Sequence, residues 1–406
     1  MKSLKLRVRK TMFVFIAATG VFVLLFAQWR THSQALMSAG AENLTTPLLG
    51  LTTAQRADFD AGLAEFQAVE TIAEGLGPVF NGKSCAECHA VPSVGGSEPN
   101  LGVARETRIA RLFNGVFDPL DGSVSVDKGG GLLQQRAIDL PGCHLKREVV
   151  PPEATFVSLR ISTALFGAGL MEAIPDTTIL GNTSNGGIAN FVLNPDTGRT
   201  ELGRFGWKAQ VATLHQFAGD AYLNEMGITN PSFPHENNPR GQPIPPECDT
   251  VADPEDDGSG LNAFANFMRF LAPAPRRPIT DQVRQGEQVF SQIGCASCHV
   301  PTLTTGNNPV AALSNQRVNL FSDLLLHAMG AGLADGIEQG RAKGDEFRTA
   351  PLWGLSRRDR FMHDGGSNTI EKAILRHGGE AQNARDRFGG LSPTDHDALL
   401  AFLDSL

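Results

Sequence analysis

Residues 85–89 read Cys85-Ala86-Glu87-Cys88-His89, and residues 295–299 read Cys295-Ala296-Ser297-Cys298-His299. Two cysteines one helical turn apart bring both sulfurs to one side, and the histidine that follows turns its imidazole to the same place. By this spacing two thiols add across the vinyl groups of a haem while the histidine becomes an axial iron ligand. Half of a structural zinc site is the rival reading of a C-x-x-C pair. A histidine directly after both pairs, in a chain that begins like an exported protein, favours two covalently bound c-type haems held by Cys85, Cys88, His89, Cys295, Cys298 and His299.

The sequence around the motifs is duplicated. Val79-Phe80 precedes Cys85 by the same four residues that separate Val289-Phe290 from Cys295. Farther on, Arg160-Ile161-Ser162-Thr163-Ala164-Leu165-Phe166-Gly167 is echoed by Arg348-Thr349-Ala350-Pro351-Leu352-Trp353-Gly354. Two copies in the same order predict a mainly α fold of two tandem cytochrome c-like domains. The copies differ in length, with 71 residues from His89 to Arg160 and 49 from His299 to Arg348. The boundaries read as 42–272 for the first domain and 273–406 for the second, with Pro273-Ala274-Pro275-Arg276-Arg277-Pro278 in the linker. Residues 180–260 read as a loop-rich insertion in the first domain, with one helix at about 208–226. Another helix is predicted from Thr53 to Ile72, where Phe59, Leu63, Phe66 and Val69 recur at helical spacing.

The amino terminus is basic to Lys10 and then uncharged from Thr11 to Trp29. Residues 1–41 therefore read as a signal peptide or a retained inner-membrane anchor, and the body as periplasmic. The net charge is −8, and residues 1–30 hold six cations and no acid, which leaves −14 for the remainder. A body this acidic is repelled by phosphate backbones, which argues against nucleic-acid binding. Cys143 and Cys248 remain outside the motifs, and in an oxidising compartment an even remainder most simply forms a disulfide, with two free thiols the other reading. The run Asp253-Pro254-Glu255-Asp256-Asp257-Gly258 carries oxygen ligands suited to calcium, or is a solvated acidic loop.

Together with the motif pair, Ala350-Pro351-Leu352-Trp353-Gly354, Arg360-Phe361-Met362-His363-Asp364-Gly365 and the segment Thr369 to His377 resemble the di-haem oxidoreductases. These are relatives of bacterial cytochrome c peroxidases and MauG-type enzymes. The resemblance implies a peroxide-reactive haem on His89 and a six-coordinate electron relay on His299, with His377 as the relay's second ligand. Met362, His363 and His327 are rivals for that place. It further implies a periplasmic electron donor (a cytochrome or a cupredoxin) or a protein or organic substrate, beside peroxide itself. An acid/base is needed to move a proton between the peroxide oxygens. Glu172, flanked by Leu170, Met171, Ala173 and Ile174, is the candidate, because apolar surroundings raise a carboxyl pKa. Tyr222 and His215 are candidates for a ligand on the reactive haem, and Trp207 and Trp353 for electron transfer between the haems. A plain electron-transfer cytochrome with both irons saturated is the alternative.

Overall fold

The computed structural model describes residues 43–97, 106–113, 116–119 and 131–406. The export or anchor segment read from residues 1–41 lies outside them. Among the described residues no helix is long and apolar enough to cross a membrane.

The first described helix is α1 (Thr53–Gln67), where Thr52 and Gln55 form a reciprocal capping box; it ends at Gln67, five residues short of the expected limit. β1 (Val79–Phe80) leads to the one-turn helix α2 (Cys85–Cys88), whose Ser84 side chain accepts from the Glu87 amide. A four-stranded antiparallel sheet follows: β2 (Glu106–Phe113), β3 (Val116–Pro119), β4 (Gly131–Leu132) and, after β5 (Arg136–Ala137), β6 (Phe156–Arg160). Two short helices, α3 (Ala168–Glu172) and α4 (Asp176–Leu180), and the hairpin β7 (Phe191–Asn194)–β8 (Arg199–Leu202) precede α5 (Leu214–Met226) and α6 (Ser259–Phe270). The second half holds α7 (Asp281–Gln292), the short pairs β9 (Leu303–Thr304)–β10 (Arg317–Val318) and β11 (Leu326–Ala328)–β12 (Glu346–Arg348), then α8 (Ile370–Arg376), α9 (Gln382–Gly389) and α10 (Pro393–Asp404). The architecture is helix-rich but mixed. Alternation such as Thr107-Arg108-Ile109-Ala110 is too short to have announced the sheet against the helical periodicity.

Two helix crossings repeat each other. In α1, Gly62 lies where any Cβ would collide with the carbonyl oxygen of Ala263 on α6; in α7, Gly286 stands in the same relation to Ala398 on α10. One turn on, Phe66 packs on Phe267 with ring centroids 4.6 Å apart, and Phe290 on Phe402 at 5.2 Å. Helices approach this closely only where a side chain is missing from the contact, so the glycines decide where each pair crosses. The echo at Arg160 and Arg348 is also matched: each arginine ends a strand, and Gly167 and Gly354, at φ 71° and 69°, each cap the helical turn that follows. The Val-Phe echo is not. Val79–Phe80 pairs as a strand with Arg136–Ala137, whereas Val289 and Phe290 lie in the last turn of α7.

A Cys143–Cys248 disulfide closes the first half, as expected, with Cα atoms 4.9 Å apart. The 180–260 stretch contributes α5, which starts at Leu214 rather than 208, and the β7–β8 hairpin; most of the remainder is loop.

Candidate functional site

Each C-x-x-C-H motif opens on a cavity. Around Cys295, Cys298 and His299 the cavity measures about 430 Å³, within the range of cofactor pockets. Around Cys85, Cys88 and His89 it is smaller, about 110 Å³, and there the donor set rather than the volume marks the site.

The imidazoles are prepared in the same way. His89 Nδ1 donates to the Gly96 carbonyl at 3.0 Å, and His299 Nδ1 to the Phe321 carbonyl at 3.0 Å. A main-chain acceptor on Nδ1 fixes the tautomer that leaves Nε2 free for a metal. Burial holds both rings neutral: it lowers the His89 pKa, and with His377 nearby it brings His299 down to about 4. Phe66 and Phe290 meet their histidines alike, with centroids 6.1 Å and 6.3 Å away. Phe66, not Phe80, is thus the counterpart of Phe290; 18 residues separate it from Cys85, against four between Phe290 and Cys295. The signal that could have found it is Gly-x-x-x-Phe, present in both helices.

His377 reaches the second cavity from the C-cap of α8, a helix begun by the Thr369 side chain accepting from Lys372 N. Its Nδ1 donates to Ala373 O at 2.9 Å, so the same tautomer is presented. The His299 and His377 ring centroids lie 6.5 Å apart. Two imidazoles take about this separation when one metal atom, about 2 Å from each nitrogen, sits between them. The rivals are arranged otherwise. Both His327 nitrogens face carboxylates, Asp323 at 2.9 Å and Glu380 at 2.8 Å. His363 stacks on Phe347 at 4.2 Å, and Met362 lies on the cavity wall at φ 69°.

The first cavity has a different lining. His89 is its only histidine among the described residues, and Met226 and Met268 on its wall are packed into the hydrophobic core. Glu106, Arg108, Asp220 and Glu225 also face it. Burial pushes the Glu225 carboxyl up to about 8, with Glu106 adding to the effect, and burial pushes Asp220 up to about 6.

Glu172 is not brought to either cavity. One of its oxygens accepts from Leu214 N at 2.8 Å, capping α5, and the other from Arg269 Nε at 3.0 Å. Its apolar sequence neighbours belong to the core behind it, while the carboxylate itself is engaged by a helix end and a cation. Tyr222 donates to Glu70 at 3.0 Å inside the core, and His215 binds Asp196 at 2.7 Å; neither lines a cavity. Trp207, its Nε1 donating to Ile161 O at 2.7 Å, lines both cavities, as do Ile161, Ser162 and Thr163; Trp353 lines the second. In the acidic run, Asp253 and Glu255 join Glu236 and Asp249 to bring four carboxylate oxygens within 4.8 Å of one another, oxygen donors of the kind a hard cation takes. Asp256 instead caps α6 through Gly260 N and Leu261 N.

Haem suits both donor sets: paired sulfurs beside a neutral imidazole with a free Nε2, facing a cavity. A protein with two such sites falls in the class of di-haem c-type oxidoreductases. The chain belongs to the family described as "Di-haem oxidoreductase, putative peroxidase", whose profile matches residues 148–406 and so takes in the second motif and His377. The first motif lies ahead of the matched residues. No curated protein matches the chain. Among solved structures it is similar to the diheme peroxidase BthA of Burkholderia thailandensis E264, at 16% identity over 90% of this chain and 88% of that one, with a TM-score of 0.41. It is also similar to the hydrazine synthase of Kuenenia stuttgartiensis, at 15% identity over 89% and 90%, with a TM-score of 0.40. A MauG-like protein associated with microbial copper homeostasis matches at 15% identity over 66% of this chain and 94% of that one, with a TM-score of 0.33.

Proposed function

We propose that the protein reduces peroxide at the haem held by Cys85, Cys88 and His89, and that the haem held by Cys295, Cys298 and His299 relays electrons to it. The observation that carries this reading is the inequality of the two cavities. The second offers an opposed pair of neutral imidazoles, His299 and His377, 6.5 Å apart. The first offers, among the described residues, one imidazole and a set of carboxylates. An iron with two strong axial ligands exchanges electrons and resists substrate, while an iron with one is open to peroxide. The repeated Gly–Ala and Phe–Phe helix crossings support reading the halves as tandem cytochrome c-like units. Trp207, on the wall of both cavities, is the residue we assign to electron passage between them.

When bound, the haems supply the electron storage and the open iron. The chain's own part is to fix the imidazole tautomers, exclude water with Phe66, Phe264 and Phe290, and move protons. The reductant in this proposal is a one-electron redox protein, a cytochrome or a cupredoxin, outside the cytoplasmic membrane. Stopped-flow mixing of half-reduced holoprotein with hydrogen peroxide tests the reading. Rapid oxidation of the relay haem together with peroxide loss is expected, and a protein that passes electrons but ignores peroxide in every reduction state is instead an electron carrier.

A further inference from the structure

We propose that Glu225 is the proton-handling residue of the His89 site, a role that deepens the peroxidase reading and rests on it. α5 runs along the cavity and presents Asp220, Ala221, Asn224 and Glu225 to it. The end of this helix is tied to the haem-binding segment itself: the Glu225 carbonyl accepts from Asn81 N at 2.7 Å and Gly82 N at 3.0 Å, three residues before Cys85. The side chain is held from the same place, Oε2 accepting from Asn81 Nδ2 at 2.9 Å. Among the described residues Oε1 has no hydrogen-bond partner, and the residue lines the cavity. A carboxylate pinned by one oxygen and open at the other is placed to take and return a proton.

The surrounding charges set how tightly Glu225 holds that proton. β2 contributes Glu106 and Arg108, joined at 2.9 Å, and α5 itself contributes Asp220. Arg160, at the end of β6, also faces the cavity, but its guanidinium is bound by Asp335 and Gln339. Three carboxyls thus crowd one neighbouring guanidinium, and negative charges brought this close disfavour one another's ionised forms. Glu225 accordingly keeps its proton to a higher pH than an ordinary carboxyl. Burial and Glu106 place Glu225 at about 8, close to the working range of a general acid/base.

Peroxide reduction converts one H2O2, two electrons and two protons to two waters. The O–O bond breaks with its electron pair leaving on the outer oxygen. Glu225 takes the proton from the inner oxygen and returns it to the outer one, which departs as water. The two electrons come from the one-electron reductant through the relay. The two protons that complete the second water enter from solvent through the same carboxyl cluster.

The test uses the holoprotein with Glu225→Gln, Glu225→Asp and Asp220→Asn, and reads two reactions: peroxide turnover against pH, and the rate at which HCN, which must lose its proton, binds the ferric His89 haem. In Glu225→Gln both haem spectra are unchanged, peroxide turnover falls roughly 100-fold, and the ionisation near pH 8 disappears from both profiles. Glu225→Asp restores part of the rate. Asp220→Asn removes a neighbouring negative charge and moves the ionisation to lower pH, a milder readout if the glutamine variant loads haem poorly. Wild-type rates and profiles in Glu225→Gln, or an unmoved ionisation in Asp220→Asn, overturn the proposal. Cyanide separates it from the reading it rests on. A protein inert to peroxide, whose cyanide binding still loses its pH dependence in Glu225→Gln, ends the peroxidase reading while Glu225 keeps its proton role.

Discussion

Three imidazoles, those of His89, His299 and His377, give Nδ1 to a main-chain carbonyl and keep Nε2 free. His377 is the informative one, because its neighbours leave it no other polar task. Replacing it with alanine converts the relay haem from low-spin to high-spin, read in the optical spectrum, while the His89 haem is untouched. His377→Met keeps six ligands and raises the relay's midpoint potential by roughly 100 mV, because a thioether stabilises ferric iron less than imidazole. A low-spin spectrum persisting in His377→Ala moves the ligand to Met362 or His363. Glu225 gives a second measurement at this scale. The unfolded chain ionises it near 4.5, and the folded chain near 8. The folded state therefore holds a proton that unfolding releases between those values, and stability falls as pH rises through that window. Denaturant unfolding at pH 5 and pH 9 should show the loss, and Glu225→Gln should lessen it by about 1–3 kcal/mol. The haem cysteines and their histidines were legible in the sequence because their chemistry is local to five residues. Glu225 was not: it lies 136 residues from His89, and only the return of α5 across Asn81 and Gly82 brings it there.

Among the elements, the two helix crossings carry the clearest energetic argument. Gly286→Ala gains about 1 kcal/mol of helix propensity. It also drives a methyl into the Ala398 carbonyl and the Phe402 side chain, and overpacking of this kind costs about 1–3 kcal/mol. The overlap is with main chain, which places the steric cost at the upper end, so we expect a net loss of about 2 kcal/mol. Because Phe290 sits one turn beyond Gly286 and packs against His299, the relay spectrum should shift as well. The same substitution at Gly62 acts on the His89 haem through Phe66. Calorimetry of the two variants with optical spectra checks both halves, and alanine tolerated at either glycine without loss contradicts the crossing. α1, α5 and α8 were readable from period and caps. The Phe66–Phe290 equivalence was hidden because unequal connections put a strand, Val79–Phe80, at the sequence distance where the second half has a helix.

Across the whole molecule, long-range ties hold what the motifs begin. The Cys143–Cys248 bridge spans 105 residues, and Arg160 of the first half forms a buried ion pair with Asp335 of the second at 2.7 Å. Cys143→Ser with Cys248→Ser should lower unfolding free energy by about 4–5 kcal/mol in the chain-entropy account. Haem spectra should be unchanged, since neither cysteine lines a cavity. The disulfide was legible from an even cysteine remainder, whereas the small sheets and the carboxyl-lined cavity needed the fold. Unequal irons are the central claim, and electron paramagnetic resonance of the fully oxidised holoprotein tests it most directly. Two signals of equal spin count are expected: one high-spin ferric haem, lost with Cys85→Ala/Cys88→Ala, and one low-spin haem with two imidazoles, lost with His377→Ala. Two low-spin haems that remain so on half-reduction would contradict it.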